Sequence, residues 1–177
     1  MKVIDQEIAS LKNSISEMWA LVHQQLYNAG EAMLTGDKEL AYKVISRERR
    51  VNAFELKIDS DCEDIIALYA PVAVDLRFVL AMYKINTNLE RLGDFAESIA
   101  RFAGNLPEGV PVDPQLIKDT RVEEMLQELL SMLTLSQEAF EKESSEIASR
   151  IFLKDNLIDE INHNSTRIIA DYIEKHP

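Results

Sequence analysis

Two stretches of this chain carry oxygen-bearing side chains at helical spacing. Glu48 and Asn52 lie four residues apart on the first stretch, and Glu90 and Asp94 lie four apart on the second. Residues at this spacing share one edge of a helix. Carboxylate and amide oxygens suit hard or intermediate cations such as Mg, Ca, Mn or Fe, whereas Zn is disfavoured without Cys or His. The two pairs are therefore candidates for a shelf that holds divalent or trivalent metal ions.

The same spacing also fits a different interpretation, a solvent-exposed polar edge. The two edges comprise Glu48, Asn52, Glu55 and Asp59 on the first stretch, and Asn86, Glu90, Asp94 and Glu97 on the second. Salt bridges to Arg47, Arg50 or Arg91 could hold such an edge in water without any metal. Glu55 and Asp59 are expected to be peripheral to the predicted site. Periodicity alone favours the solvent-exposed edge.

Apolar residues recur at three- and four-residue steps through most of the chain, which predicts an all-α fold. The predicted helices cover residues 5–34, 38–69, 71–104, 115–142 and 144–175. Gly36 suits the end of the first helix and Asp37 the N-cap of the second. Pro71 suits the first turn of the third. Five Gly and five Pro are too few for a turn-rich β protein.

The turn near Ala70-Pro71 should make the second and third helices antiparallel. Residues equally far from the turn then lie level with each other, so Glu48 faces Asp94 and Asn52 faces Glu90. Packed helix axes lie ~8–10 Å apart. The four side chains are thus expected at one height, where they could share a cation.

Composition restricts the class of protein. A net charge of -12 argues against a nucleic-acid partner, which requires a basic surface. The single cysteine, Cys62, excludes an internal disulfide and fits a reducing compartment. No uncharged run approaches the ~20 residues of a membrane span, and the first residues lack a signal-peptide core. We expect a cytoplasmic protein.

A weak internal repeat divides the chain. The Pro-rich residues 107–114 form the expected linker between a first unit, residues 1–106, and a second, residues 115–177. Shifting the sequence by 107 residues matches Glu31 with Glu138 and keeps the apolar phase. The same shift aligns Asp155 with Glu48 and Asp159 with Asn52. We therefore expect tandem antiparallel helical bundles, with Asp155 and Asp159 as half of a second acidic edge.

The second unit is expected to be incomplete. Its third helix would begin at the point where the chain ends, so we expect one complete three-helix repeat plus an incomplete second repeat, with the sixth helix missing. Two helices alone would expose an apolar stripe. The pattern predicts either a homodimer formed through the second half or a chain that was cut short.

Three motifs together resemble those of the PhoU family of phosphate-uptake regulators. They are Glu48-Arg-Arg-Val-Asn52, the stretch PVAVDLR at residues 71–77, and ERLGD at residues 90–94. The resemblance covers one full repeat over residues 5–104 and a partial repeat over residues 115–177. It implies metal clusters on the acidic helix edges, held here by Glu48, Asn52, Glu90 and Asp94, with Asp155 and Asp159 on the second edge.

The resemblance also implies a function. PhoU-like proteins are cytoplasmic negative regulators that dock on the phosphate ABC transporter and on its sensor histidine kinase. We therefore expect peripheral membrane association only through the transporter, and no enzymatic activity. One alternative is an accessory domain of a sodium- or proton-driven phosphate carrier. A di-metal carboxylate enzyme is disfavoured, because it requires two Glu-x-x-His motifs and this chain offers only Glu160 and His163.

Overall fold

The computed structural model describes residues 3–107 and 112–176, and every regular element in these ranges is an α-helix. The helices are α1 (Val3–Thr35), α2 (Lys38–Tyr69), α3 (Ala73–Asn105), α4 (Pro114–Thr120), α5 (Val122–Glu141) and α6 (Ser145–Lys175). Within the described ranges, no helix is both long enough and apolar enough to span a membrane. Of the predicted linker, residues 108–111 lie outside these ranges.

Helices α1, α2 and α3 pack against one another as an antiparallel bundle. Its main core contains Leu11, Ile15, Met18, Trp19, Val22, Val51, Ile58, Cys62, Ile65, Val79, Met82, Leu89 and Leu133. At the other end, alanines replace the large side chains, including Ala29, Ala32, Ala41, Ala96, Ala100 and Ala103. Burial of these apolar stripes stabilises helices of more than 30 residues far more than local propensity does.

Both turns between these helices lie where the sequence predicts them, and only the position of Pro71 differs. Gly36 has φ 71° and the Asp37 carboxylate accepts a hydrogen bond from Leu40 N at 2.9 Å, so the predicted end and N-cap are confirmed. At the second joint, Ala70 closes α2 in the left-handed region (φ 43°). Pro71 precedes the N-cap, Val72, so its predicted place in the first turn is wrong.

The predicted helix over residues 115–142 is two helices, α4 and α5. Arg121 lies between them with φ 54° and ψ 28°, a left-handed conformation that interrupts a right-handed helix. Ion pairs hold it there: its guanidinium donates to Glu124 at 2.7 Å and to Glu160 of α6 at 3.0 Å. The expectation that the sixth helix is missing is therefore wrong, because the described residues form six helices.

Helices α5 and α6 form a hairpin that contacts the first bundle through α1 and α5. Ser144 caps α6 by accepting a hydrogen bond from Ile147 N at 3.2 Å. Trp19 of α1 donates its indole N–H to the Leu133 carbonyl at 3.2 Å and stacks on Phe140 of α5 at 5.7 Å between ring centroids. The second part of the chain is thus fixed to the first by a buried aromatic contact.

Candidate metal centre

Glu48 is a buried carboxylate with no hydrogen-bond partner. It lies on the face of α2 that meets α3 and is 5% exposed, and neither side-chain oxygen has a partner. Burial, followed by the negative charges of Asp94, Glu97 and Glu90, raises the pKa of Glu48 to about 7. An unpaired buried charge costs free energy, so this group favours either a proton or a neighbouring cation.

A glycine on α3 allows the two helices to approach closely beside Glu48. A Cβ at Gly93 would lie 2.9 Å from Val51 Cγ1 and 3.5 Å from Glu48 Oε2. Real side-chain contacts between carbon atoms are longer, ~3.5–4.0 Å at their optimum. The glycine of the ERLGD stretch therefore sets the distance between the helix that carries Glu48 and the helix that carries the facing acids.

An open cavity of about 450 Å³ lies between these helices at the level of Glu48. The oxygen-bearing side chains that line it include Glu48 and Asn52 from α2, and Asp94 and Glu97 from α3. Asn52 and Asp94 are exposed, whereas Glu97 is half-buried. The cavity is thus lined both by the buried carboxylate of Glu48 and by the solvent-accessible carboxylates of Asp94 and Glu97.

Two guanidinium groups, those of Arg49 and Arg101, line the same cavity. Arg101 Nη2 donates to Glu97 Oε1 at 2.7 Å. Arg49 is exposed and forms no salt bridge with any residue in the described ranges. The cavity therefore carries both signs of charge.

Glu90 extends the acidic edge away from the cavity. Burial and then the negative charges of Asp94 and Glu55 raise the pKa of Glu90, and a hydrogen bond to Asp94 adds to this effect, while Arg91 lowers it. One turn earlier, Asn86 donates to Asp59 Oδ1 at 2.7 Å and to the Glu55 carbonyl at 2.9 Å. The acidic edges of α2 and α3 therefore face each other over several turns.

Three of the predicted ligands share the cavity, namely Glu48, Asn52 and Asp94, and the fourth, Glu90, contacts Asp94. Asp155 and Asp159 are exposed on α6 and do not line this cavity. Their role as half of a second edge stays a prediction. Within residues 3–107 and 112–176, no three His, Cys, Asp or Glu side chains form a ready-made metal-binding group.

The alternative interpretation, a solvent-exposed edge paired with local arginines, fits part of the structure, because Asn52 and Asp94 are exposed and Arg101 pairs with Glu97 on the α3 edge. In the part of the chain that the structure describes, Arg47, Arg50 and Arg91 form no salt bridge with the acids of either edge.

The Glu-x-x-His motif on α6 is the basis of the disfavoured enzyme alternative. The Glu160 carboxylate of this motif pairs with Arg121, and His163 is exposed.

Three further residues of the site lie outside the predicted ligand set. Glu97 lies on the predicted α3 edge, three residues after Asp94. That spacing alone could have placed it in the predicted ligand set. Arg101 lies four residues beyond Glu97 and continues the same edge, whereas Arg49 adjoins Glu48 and carries no such signal. Only the packing of α2 on α3 brings them to one cavity.

The comparisons with known proteins decide the family. A family model described as "PhoU domain" matches residues 15–103 and 122–177. The chain belongs to the PhoU family. The matched residues include every side chain named above as lining the cavity. The recognition based on the three sequence motifs is thereby confirmed.

Named relatives and solved structures agree with the family assignment. A protein of Aquifex aeolicus named "Phosphate-specific transport system accessory protein PhoU homolog" is 32% identical over 172 residues, which are 97% of this chain and 76% of that protein. The PhoU protein of Escherichia coli is 32% identical over 94% of this chain and 68% of its own length.

Among solved structures, PhoU from Pseudomonas aeruginosa has a TM-score of 0.90 at 26% identity and covers 98% of this chain and 81% of its own. The phosphate transport system regulatory protein PhoU from Streptococcus pneumoniae has a TM-score of 0.86 at 28% identity, with 98% and 80% covered. The helical arrangement of this chain is therefore that of PhoU proteins.

Proposed function

We propose that this protein is a cytoplasmic negative regulator of phosphate uptake and of phosphate-starvation signalling. It would act by binding the phosphate ABC transporter and the associated sensor histidine kinase, and would reach the membrane only through the transporter. The observation that carries this proposal is membership of the PhoU family, whose relatives are named as accessory proteins of phosphate-specific transport.

The proposal includes a metal ion held between α2 and α3. Glu48, Asp94 and Glu97 would supply carboxylates, Asn52 an amide oxygen, and Glu90 would support Asp94. The orphaned oxygens of Glu48 support this assignment, because buried polar atoms normally have a partner. A bound cation supplies charge neutralisation and a fixed bridge between the two helices. An all-oxygen site of this kind suits Mn, Mg, Ca or Fe.

The proposed role is binding and not catalysis. The relatives and the structural neighbours are named as accessory or regulatory proteins. The expected function of the metal is therefore structural or sensory, since it would hold α2 and α3 in one arrangement.

The protein is also proposed to self-associate as a homodimer. Phe152 and Leu153 of α6 are 76% and 77% exposed, and Ile173 is 63% exposed. Adjacent exposed apolar side chains such as Phe152 and Leu153 are typical of an interaction surface. Sedimentation velocity should show a dimer that Phe152→Glu/Leu153→Glu converts to monomer. A monomeric wild-type protein would remove this part of the proposal.

Binding to the transporter and kinase tests the central function directly. Tagged protein is incubated with detergent-solubilised transporter, and separately with the kinase, from the same organism. Retention of both supports the proposal, and failure to retain either contradicts it. In cells that lack the gene, wild-type protein should repress a phosphate-starvation reporter in phosphate-rich medium. Glu48→Gln should fail to do so, whereas Glu63→Gln, at an exposed position of α2, should succeed.

A further inference from the structure

The outward face of α2 is basic, although the chain as a whole is acidic. The net charge of the chain is -12. Between residues 41 and 60, every exposed charged side chain is a cation, namely Lys43, Arg47, Arg49, Arg50 and Lys57. The overall composition would place acids on such a surface more often than bases. The cationic character of this face is therefore a local property of α2.

The acids of the same stretch lie on another side of α2. Glu48 is buried against α3, and Asp59 accepts a hydrogen bond from Asn86 of α3 at 2.7 Å. Glu55 is half-buried, and its carbonyl accepts a second hydrogen bond from Asn86 at 2.9 Å. The acids of α2 thus lie toward α3, which leaves the cations on the outer face.

Four of the cations form a single row. Lys43, Arg47, Arg50 and Lys57 follow one another at steps of four, three and seven residues, which places them on one side of the helix. The row is about 21 Å long, because an α-helix rises 1.5 Å per residue. None of the four lines the cavity beside Glu48. The row is thus a surface separate from the candidate metal centre.

The two arginines of the row have no ionic partner. Within the described ranges, Arg47 and Arg50 form no salt bridge, whereas each lysine pairs with an acid one turn away on α2, Lys43 at 3.2 Å and Lys57 at 2.6 Å. Exposed pairs of this kind contribute little to stability, so they are easily exchanged for others. A guanidinium group can bind a carboxylate in bidentate geometry. The row therefore offers two unpaired arginines to the carboxylates of a partner.

Small and apolar side chains lie beside this row. Ser46, Ala53 and Ser60 are exposed and recur every seven residues, and such small side chains allow a second helix to approach α2 closely. Next to them, Tyr42 and Leu56 are 61% and 69% exposed. Tyrosine is among the side chains that contribute most to protein interfaces. The face can thus add apolar contact to ion pairing.

We propose that this face of α2 docks an acidic helical segment of a partner protein, whose carboxylates pair with Arg47 and Arg50. Acids three or four residues apart on the partner helix would match the spacing of the two arginines. An anionic membrane fits less well, because it would repel the rest of an acidic chain and the cationic row is only one helix wide. The proposal goes beyond the proposed function and requires no bound metal.

Fluorescence anisotropy of the full chain with two labelled synthetic peptides tests the proposal. One peptide is an alanine-rich helix of about 20 residues with Glu along one edge at steps of three and four, and the other has Gln in place of each Glu. At low ionic strength, wild-type protein should bind the Glu peptide about tenfold more tightly than the Gln peptide. Salt at about 0.5 M should remove most of this difference by screening. Arg47→Glu/Arg50→Glu should lose the preference at any ionic strength.

Arg77→Glu/Lys84→Glu on α3 is the matched control, because both residues are exposed and the net charge changes by the same amount. It should keep the preference for the Glu peptide. Loss of the preference in this control would show that net charge and not the α2 face governs binding, and would overturn the proposal.

Two further results would also overturn it. One is equal binding of the two peptides by wild-type protein, or an unchanged preference in Arg47→Glu/Arg50→Glu. The other is binding of wild-type protein to phosphatidylserine vesicles without any preference between the peptides, which would assign the face to a membrane surface.

Discussion

Glu48 is the residue on which the site depends most. Its carboxylate lies at the contact of α2 and α3, without a hydrogen-bond partner and facing further negative charge from α3. A group in this position destabilises the metal-free fold whenever it is ionised. The effect of Glu48 on the free energy of unfolding therefore depends on pH and on bound cations.

Glu48→Gln should stabilise the metal-free protein above neutral pH. The folded pKa is about 7 and the ordinary value is 4.5, so between these values the folded state keeps a proton that the unfolded state loses. Because the native state binds more protons there, the free energy of unfolding falls as pH rises from about 4.5 to 7. Relative to wild type, Glu48→Gln should gain up to about 3 kcal/mol at pH 8 and almost nothing at pH 4.5.

Urea unfolding in EDTA at both pH values measures this difference. Glu63→Gln, an exposed substitution on the same helix, should match wild type at both. A Glu48→Gln protein with the same pH dependence as wild type would show that Glu48 is not held in the position described.

Gly93→Ala should destabilise the fold by about 1–3 kcal/mol, despite the better helix propensity of alanine. The new Cβ would meet Val51 Cγ1 at 2.9 Å and force α2 and α3 apart. Gly104→Ala on the same helix is the control, because its Cβ would lie 3.9 Å from the nearest atom, Tyr42 Cε1. That substitution should be neutral or stabilise by about 0.5 kcal/mol. Thermal unfolding of both variants measures the difference. Equal unfolding midpoints for Gly93→Ala and Gly104→Ala would contradict the close approach of α2 and α3 at Gly93.

The sequence contains much of the site but not its balance of charge. Four-residue spacing and the antiparallel turn were enough to predict that Glu48, Asn52 and Asp94 face one space. Spacing could not show that Glu48 is buried and Asp94 exposed, because both occur on edges with identical periodicity. It also could not show that Arg49 and Arg101 turn into that space, since a long side chain can lie on either side of its helix.

At the level of elements, the break between α4 and α5 is the main departure from the periodic pattern. Apolar spacing continues across residues 115–142, and neither Gly nor Pro interrupts it between Pro114 and Glu141. Two long-range contacts lie at the break: Arg121 pairs with Glu160, and Ser165 of α6 donates to the Thr120 carbonyl at 3.0 Å. Such contacts leave no local signal, so the sequence predicts one helix where there are two.

Arg121→Ala and Arg121→Gly should separate backbone strain from ion pairing at this break. Both lose the bonds to Glu124 and Glu160, and only glycine adopts φ 54° without a steric cost. Arg121→Ala should therefore unfold at a lower temperature than Arg121→Gly. Hydrogen exchange over residues 114–125 should also be faster in the alanine variant. Identical behaviour of the two variants would show that the left-handed conformation is not retained.

At the level of the whole molecule, α1 is the element shared by both parts of the chain. One face of it packs on α2 and α3, and another carries α5. Gly30 lies against the Leu126 side chain, so that α5 can approach α1 closely. The hydrophobic period of α1 predicts a helix but does not distinguish these two faces, because both are apolar.

Trp19→Phe should loosen this contact without removing it. Phenylalanine can still stack on Phe140 but cannot donate to the Leu133 carbonyl and fills less of the core, so the protein should lose at least about 1 kcal/mol of stability. Urea unfolding followed by circular dichroism measures the loss, because the variant lacks the single Trp of the chain. Tyr42→Phe, at an exposed position, should be neutral. A Trp19→Phe protein as stable as wild type would show that this hydrogen bond contributes nothing.

Calorimetric titration of the purified, chelator-treated protein with Mn²⁺ tests the central claim most directly. Wild-type protein should bind the cation, Glu48→Gln/Asp94→Asn should lose that binding, and Asp155→Asn/Asp159→Asn on α6 should retain the site between α2 and α3. Equal Mn²⁺ binding by wild type and by Glu48→Gln/Asp94→Asn would contradict the account, because the cation would then be held somewhere other than the cavity beside Glu48.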